Sequence, residues 1–417
     1  MNKKINQIKG INFIGFINGK FGLGQAARLI ISSLQKQDIP FTVLSADFMI
    51  SDRSKEDCVI PAAKDFLYPI NLFCIDHQYI SDFVERYDWE LFKNSYNIGI
   101  CYWETNCFPK RASEWWKYLD ELWVTTHYVK EHISNATSLP VHHIPQPVEV
   151  NYIPQIVKKE DCGLKSNFTF YYCFDFNSIV NRKNPMAIIQ AFQQAFQQGQ
   201  EVQLLIKSQN GKSHPNLLQS FLDKIKNDSR IVWMDEKMDS QKNFEIMNLS
   251  DCYISLHRSE GFGLSMAEAM LLGKPVIATA YSGNLDFMND ENSYLCSHRL
   301  IRIGHGNKPY PSKGLWADVN ISQAAFWMQS VFNNPVEASS KAAKGKEFIL
   351  KHHSCETVGQ YINRRIQKIT LPDGPKNKPK ISFKSKLRKN LVPLNNFFRN
   401  LLRPYKRMIW AKIFPHK

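Results

Sequence analysis

A strand that runs through a glycine turn into a helix restricts the fold more than any other feature of the sequence. Residues 252–257 form a short apolar and β-branched run, which is typical of a strand buried in a parallel sheet. From Ser265 to Leu272 apolar residues recur at helical spacing, so we predict a helix that Ser265 caps and Gly273 ends. Units of this kind build α/β domains with the strands inside.

The turn between this strand and helix, residues 259–264, suits a phosphate ligand. Gly261 and Gly263 let the backbone approach a ligand closely, and the N–H groups at the start of a helix attract an anion. Glu260 lies on the strand side of the turn and Glu268 lies in the first turns of the helix, so both carboxylates can accept hydrogen bonds from hydroxyls around a diphosphate. On spacing alone, an ordinary turn with two solvated glutamates explains the segment equally well.

The same alternation of strand and helix patterns extends along most of the chain. In the first part, five apolar runs predict strands, with helical stretches between several of them. Residues 143–148 contain two prolines, which favour an extended linker, and after them the alternation restarts. We therefore predict an α/β protein with two Rossmann-like domains, each built on a parallel, doubly wound sheet.

The length and composition of the chain agree with this organisation. At 417 residues it exceeds the usual size of a single core. No run approaches the ~18 consecutive apolar residues of a membrane-spanning helix, and the first residues lack the apolar core of a signal peptide, so we expect a cytoplasmic protein. The nine cysteines include no Cys-x-x-Cys pair, which predicts reduced side chains rather than disulfides or a zinc site built on them.

The net charge of +15 is concentrated at the C-terminal end. Residues 376–417 contain 13 Lys or Arg and no Asp or Glu, interleaved with bulky apolar residues such as Phe398, Leu402 and Trp410. This composition is typical of an amphipathic segment that lies on an anionic membrane surface. A solvated tail and a nucleic-acid-binding arm are the alternatives, and no nucleic-acid motif accompanies the charge. We predict that residues 371–417 form a basic amphipathic tail that binds the inner face of a membrane peripherally.

Four motifs in order resemble the donor-site signature of the retaining glycosyltransferases of family 4, the glycosyl transferases group 1. They are Glu-Gly-Phe-Gly-Leu-Ser from Glu260, Glu-Ala-Met from Glu268, Gly-Lys-Pro-Val-Ile-Ala-Thr from Gly273 and Ser-Gly-Asn from Ser282. The resemblance implies that Glu260 contacts the transferred sugar and that Glu268 holds the ribose of a nucleotide-diphosphate sugar. It also implies that backbone amides of the turn contact sugar and phosphate, and these belong to Gly261, Phe262, Gly263 and Leu264.

The resemblance also implies a GT-B fold over roughly residues 10–370, with a cleft between the two domains. The first domain, residues 1–148, would lie on the acceptor side, and residues 149–349 would bind the donor. Residues 350–370 would then form the helix that crosses back to the first domain.

Cations for the leaving diphosphate are expected at strand ends of the second domain. Arg182 and Lys183 precede a predicted helix, and Lys207 ends a predicted strand. The family's usual arginine, five or six residues before its lysine, is absent here, so Arg182 or Lys207 is the expected replacement. Surface lysines beside a helix start are the alternative interpretation.

The first domain shows a second departure from the family pattern. A histidine that usually ends one of its strands is absent, and the corresponding strand runs into Trp103 and Glu104. A carboxylate there can accept a proton from the acceptor hydroxyl or position that hydroxyl, so we predict Glu104 as a catalytic residue together with Glu260. Trp103 fits either stacking on a sugar or core packing, and His77 and His127 are weaker candidates for the cleft.

A glycine loop in the first domain leaves a different function open. The sequence from Gly22 through Gly24 to Ala27 fits Gly-x-Gly-x-x-Ala, and Asp47 ends a second strand pattern, as in NAD(P)-dependent oxidoreductases. The loop is longer than that fingerprint requires, and in a glycosyltransferase Gly22 and Gly24 would face the donor across the cleft. A sugar-nucleotide epimerase of the same fold and a non-catalytic glycan-binding protein are further alternatives.

The sequence therefore predicts a retaining glycosyltransferase that moves a sugar from a nucleotide-diphosphate sugar to a hydroxyl of a glycan or lipid-linked acceptor. Assembly of a surface polysaccharide would fit the membrane-binding tail. The chain contains no Asp-x-Asp pair to hold a divalent metal on the diphosphate, so we expect a metal-independent reaction without a cofactor. No nucleic-acid partner is expected.

Overall fold

The computed structural model describes residues 9–50, 65–110, 112–150 and 158–379. Strands and helices alternate along these ranges in two series. The first series consists of strands β1 (Ile11–Gly15), β2 (Phe41–Ser45), β3 (Ile70–Cys74), β4 (Tyr96–Cys101), β5 (Glu121–Val124) and β6 (Val141–His143), and of helices α1 (Gly22–Gln35), α2 (Ile80–Tyr87), α3 (Ala112–Trp115) and α4 (His127–Ser134).

The second series begins after residue 158. Its strands are β7 (Phe168–Asp175), β8 (Val202–Gln209), β9 (Ile231–Asp235), β10 (Cys252–Ser255), β11 (Val276–Thr279) and β12 (Tyr294–Cys296), followed by a hairpin of β13 (His298–Arg302) and β14 (Leu315–Val319). Its helices are α5 (Val180–Lys183), α6 (Pro185–Ala195), α7 (Pro215–Ile225), α8 (Ser240–Leu249), α9 (Leu264–Leu271), α10 (Ile321–Asn333), α11 (Pro335–His353) and α12 (Cys355–Gln367).

Each series forms one six-stranded sheet in which all strands are parallel. The order is β2-β1-β3-β4-β5-β6 in the first sheet and β12-β11-β10-β7-β8-β9 in the second. The strand order reverses between β1 and β3 in the first sheet and between β7 and β10 in the second. In open sheets of this type, ligands bind beyond the carboxyl ends of the strands at such a point. The prediction of an α/β protein with two Rossmann-like sheets is confirmed.

Local sequence signals explain where the helices begin. Proline occupies the first turn of α6, α7 and α11, where its missing N–H leaves no donor unpaired. Thr126, Asp239, Asn320 and Ser354 cap four other helices with a side-chain oxygen that accepts a backbone N–H. Buried apolar runs supply the strands, and each sheet packs its helices around its own apolar cluster.

The last helix returns to the first sheet. Helix α11 packs against α9, whereas α12 packs against α1. Val358, Ile362 and Ile366 of α12 belong to the apolar cluster of the first sheet. At Gly359 a β-carbon would stand 2.4 Å from the carbonyl oxygen of Ser33, so the two helices touch closely at this glycine.

A buried ion pair fixes α12 on the first sheet. The carboxylate of Glu121 on β5 is fully buried and accepts hydrogen bonds from Tyr96 Oη at 2.9 Å and from Trp123 Nε1 at 2.6 Å. Arg365 of α12 donates to the same carboxylate with Nε at 3.1 Å and with a terminal nitrogen. A buried carboxylate that loses its cation is strongly destabilising.

Within the described ranges, no helix has both the length and the apolar character needed to cross a bilayer. The predicted amphipathic tail lies almost wholly outside those ranges, because residues 380–417 are not described.

We predict that Arg365→Ala lowers the free energy of unfolding by about 3–5 kcal/mol, because it leaves the Glu121 carboxylate buried without its cation. Arg364→Ala, at the exposed neighbouring position, is the matched control and should change it by less than about 1 kcal/mol. Urea denaturation of the two variants measures the difference. Equal midpoints would show that the pair does not hold α12.

Candidate active site

The predicted donor motif lies at the carboxyl ends of the strands where the second sheet reverses its order. Strand β10 ends at Ser255, and the loop after it passes through Glu260 to Gly263, before α9. Its neighbour β7 leads to the short helix α5, whose last residues are Arg182 and Lys183. The fold thus brings Arg182, Lys183 and the predicted motif residues from Glu260 to Gly263 to the place where a doubly wound sheet binds its ligand.

The prediction that Ser265 caps the helix of the motif is wrong. Helix α9 begins at Leu264, and Gly263 occupies the N-cap position with a φ of 98°. Glycine adopts this left-handed conformation without strain, and a β-carbon there would stand 2.3 Å from Met266 Cε. The N-cap residue of α9 therefore needs a positive φ, which glycine adopts far more readily than serine.

Glu260 is the centre of a buried charge cluster. Its carboxylate accepts from Lys183 Nζ at 2.6 Å and lies 2.8 Å from a terminal nitrogen of Arg182. Arg182 is 4% exposed and also donates to the carbonyl of Ser259 at 2.8 Å. Burial alone would raise the pKa of Glu260, but the charges of Arg182 and Lys183 outweigh it and hold the pKa well below its usual range. The carboxylate is therefore ionised throughout the physiological range.

Glu104 joins this cluster from the first half of the chain, which carries the first sheet, whereas the second half carries the second sheet. One oxygen of its carboxylate lies 3.6 Å from Arg182, and the other accepts from Tyr310 Oη at 2.9 Å. Its backbone carbonyl accepts from the hydroxyl of Ser259. Tyr310 belongs to the loop of the β13–β14 hairpin, and no periodicity or motif in the sequence pointed to it. The structure thus places Glu104 next to Arg182 and Glu260, with one partner that sequence reasoning missed.

Glu268 lies in α9 in a different environment. It is 8% exposed, and within the described ranges it forms no ion pair. Burial raises the pKa of Glu268 to about 8. At neutral pH most of the protein therefore carries an uncharged carboxyl here, which can donate as well as accept a hydrogen bond.

Lys207 lies among a different set of carboxylates from those around Arg182 and Lys183. It is 4% exposed on β8, where Asp175, Asp235 and Glu236 are the nearby carboxylates that act on it. Burial lowers its pKa, and these three charges act against that effect. The structure therefore pairs Arg182 and Lys183, but not Lys207, with the motif.

Gly22 and Gly24 lie at the start of α1, beyond the carboxyl end of β1. A β-carbon on Gly24 would stand 2.2 Å from the carbonyl oxygen of Gly19, so glycine is needed for the loop to fold back on the helix, while Gly22 faces open space. Asp47, the acidic residue of the dinucleotide-binding alternative, accepts from Asn18 Nδ2 at 2.9 Å and from Ser45 Oγ at 2.7 Å. The Asp47 carboxylate thus links the loop after β1, through Asn18, to the end of β2 at Ser45.

Three aromatic candidates are packed rather than open. Phe262 is 5% exposed, and its ring lies 4.8 Å from that of Phe287, so only its backbone can contact a ligand. Trp103 is buried against Phe108 and Tyr310, which favours core packing over sugar stacking. Burial lowers the pKa of His77 to about 4, and its Nδ1 lies 3.3 Å from the indole nitrogen of Trp116.

The N-terminus of α4 makes the second set of contacts between the halves. The hydroxyl of Thr126 donates to the carbonyl of Gly261 at 2.9 Å. The backbone N–H of His127 donates to Asp286 at 2.9 Å, and Nδ1 of the same histidine lies 2.8 Å from Asp286. A β-carbon on Gly261 would stand 3.0 Å from the carbonyl oxygen of Trp103, so the motif glycine packs directly on the first half.

Comparisons with known proteins find similarity to glycosyltransferases. Residues 165–299 match the family model described as Glycosyl transferases group 1. The matching segment, which is similar to a glycosyl transferases group 1 domain, contains Arg182, Lys183, Glu260 and Glu268. The alpha-1,3/1,6-mannosyltransferase ALG2 of Dictyostelium discoideum is 24% identical over 162 residues, which are 38% of this chain and 33% of that protein. The aligned part thus spans about a third of that relative.

Solved structures show the same fold over most of the chain. Anabaena HepE in complex with UDP and glucose has a TM-score of 0.59 at 12% identity and covers 86% of this chain and 100% of that chain. A glycosyltransferase from Rickettsia africae has a TM-score of 0.61 at 14% identity and covers 88% and 100%. The prediction of the GT-B fold is confirmed.

We predict that the stability difference between wild type and Glu268→Gln depends on pH. The folded pKa is raised, so the native state retains a proton that the unfolded state has lost between about pH 4.5 and 8. Wild type should therefore lose stability relative to the variant as pH rises through that range, by up to about 1.4 kcal/mol per pH unit, and level off above it. Urea midpoints at several pH values measure this, with exposed Glu291→Gln as the control; a constant difference would contradict the raised pKa.

Proposed function

We propose that this protein is a retaining glycosyltransferase that transfers a sugar from a nucleotide-diphosphate sugar to an acceptor hydroxyl. The observation that supports this most is the Glu260 cluster, in which the motif carboxylate and two cations occupy the ligand-binding edge of a glycosyl transferases group 1 domain. The bound UDP and glucose in Anabaena HepE show what one protein of this fold binds. A screen of nucleotide sugars is needed to identify the base and the sugar of the donor for this chain.

In this proposal the diphosphate lies across the start of α9. The turn amides from Gly261 to Leu264 point their N–H groups at it, and Lys183 and Arg182 supply the positive charge next to them. Glu260 holds both cations in place and lies where it can accept a hydrogen bond from the sugar. The uncharged carboxyl of Glu268 suits the hydroxyls of a ribose, because it can donate to one and accept from another.

The transfer itself needs one bond made and one broken on the same face of the sugar. The acceptor oxygen bonds to the anomeric carbon, the bond from that carbon to the diphosphate oxygen breaks, and the acceptor proton moves to the departing diphosphate. Lys183 and the turn amides stabilise the charge that grows on the leaving group, without a metal ion in the proposed step. Glu104, fixed by Tyr310 and Arg182, positions the acceptor hydroxyl from the first half.

The acceptor is proposed to be a glycan or a lipid-linked saccharide of surface polysaccharide assembly. The sequence of residues 376–417 supports this, because 13 cations without a single acid favour an anionic membrane. The dinucleotide alternative is less well supported, since the carboxylate of Asp47 is engaged by Asn18 and Ser45 within its own loop.

We predict that Glu260→Gln lowers kcat/KM for transfer by about 10²–10³-fold, the loss typical of removing one electrostatic group from a transition-state site. A thermal-shift screen of uridine, guanosine and adenosine diphosphate sugars identifies the donor first, because a ligand of the folded state raises Tm. Glu291→Gln, exposed on the same half, should retain full activity. No shift with any nucleotide sugar, or full activity in Glu260→Gln, would overturn the proposal.

We also predict that removal of residues 376–417 abolishes binding to anionic vesicles and leaves transfer to a soluble acceptor intact. Each cation near such a surface contributes about 1 kcal/mol, so the effect should be large and should weaken with salt. Co-sedimentation with vesicles containing phosphatidylserine measures binding, and vesicles of phosphatidylcholine alone are the control. Undiminished sedimentation of the truncated protein would contradict a membrane role for the tail.

A further inference from the structure

Two imidazoles and one carboxylate converge at the contact between α4 and the loop before β12. His127 is the first residue of α4, His143 ends β6, and Asp286 lies in the short helical turn 283–286 of the second half. One ligand atom from each of the three residues lies within 4.8 Å of the other two.

The three side chains lie close enough together to share one small metal ion. His127 Nδ1 and His143 Nε2 lie 2.8 Å and 3.6 Å from the same oxygen, Oδ2 of Asp286. In a tetrahedral zinc site with ligands about 2.0–2.1 Å from the ion, neighbouring ligand atoms stand about 3.3 Å apart. The two imidazoles therefore reach the same carboxylate oxygen at separations of 2.8 Å and 3.6 Å, which bracket the spacing of two ligands on one ion.

The surroundings supply the other features of a metal site. The backbone N–H of His127 donates to both oxygens of Asp286, at 3.2 Å and 2.9 Å, and thereby orients the carboxylate. Asp286 and His143 are 9% and 20% exposed in their side chains, whereas His127 is 73% exposed, so an ion can reach the cluster from solvent. Nε2 of His143 lies 3.3 Å from the carbonyl of Thr125, and it gives up this hydrogen bond when it binds the ion.

We propose that His127, His143 and Asp286 form a binding site for a divalent transition metal of the Zn²⁺ class, which links the two halves of the protein. Two imidazoles and a carboxylate are ligands that Zn²⁺ accepts, and a water molecule completes the fourth position. The ion joins α4 to the turn 283–286. The site is separate from the proposed donor chemistry, which uses none of the three side chains.

The site also borders the donor motif through two short connections. Thr126, next to His127, donates to the carbonyl of Gly261, and the N–H of Gly283 donates to the carbonyl of Glu260 at 2.9 Å. A bound ion therefore links the start of α4 to the turn 283–286, and both of these segments are hydrogen-bonded to the donor motif.

The test is a titration of the metal-stripped full chain with ZnCl₂ by calorimetry. One ion per chain is expected, and His127→Ala and His143→Ala should each raise Kd more than about tenfold, the loss that even outer-shell changes reach. His305→Ala, an exposed histidine of the hairpin loop, is the matched control and should leave Kd unchanged.

A second readout uses Co²⁺, whose visible bands report four-coordinate binding. These bands should appear in wild type and disappear in His127→Ala, whose exposed side chain can be removed with little effect on folding. Absence of a one-site isotherm, or equal Kd in wild type and both histidine variants, would overturn the proposal. Neither result depends on transfer activity, so failure here leaves the proposed function standing.

Discussion

The ion pairs of Glu260 with Arg182 and Lys183 are the interaction on which the proposed site depends. Burial of a carboxylate and a guanidinium is costly unless each finds its partner and its hydrogen bonds. Here the partners come from two loops that follow neighbouring strands, so neutralising the charges also fixes the loops relative to each other. Arg182 extends the cluster to Glu104, which brings in the first half. The charge that would serve the diphosphate is thus already in place before any ligand arrives.

The glycines of the motif have a structural role beside the one expected from the sequence. Sequence reasoning assigned them to close approach by a ligand. In the structure a β-carbon on Gly283 would stand 2.2 Å from the carbonyl oxygen of Gly261, and Gly261 itself lies against the backbone of Trp103. Backbone segments packed this closely, within the second half at Gly283 and between the halves at Gly261, leave little room for side chains. Both roles favour glycine, so the motif alone could not separate them.

The sequence predicted the fold well because buried parallel strands and amphipathic helices have strong periodic patterns. It predicted less of the site. Tyr310 reaches Glu104 across 206 positions from a hairpin loop, and Asp286 reaches His127 across 159. Contacts between residues so far apart depend on how the two sheets face each other, which no local pattern encodes. Lys207 shows the converse, because the predicted strand exists but continues past Lys207 to Gln209, and the three carboxylates near Lys207 were set by the fold.

Both clusters at the contact between the halves take members from each side. At one cluster, Glu104 of the first half contacts Arg182 and Tyr310 of the second half. At the other, His127 and His143 of the first half contact Asp286 of the second half. Any motion that separates the two sheets breaks both sets of contacts together. A ligand that favours the joined arrangement at one cluster must therefore strengthen binding at the other by the same factor, since coupling free energies are reciprocal. Hydrogen bonds from Thr126 to Gly261 and from Gly283 to Glu260 join the segments that carry the two clusters.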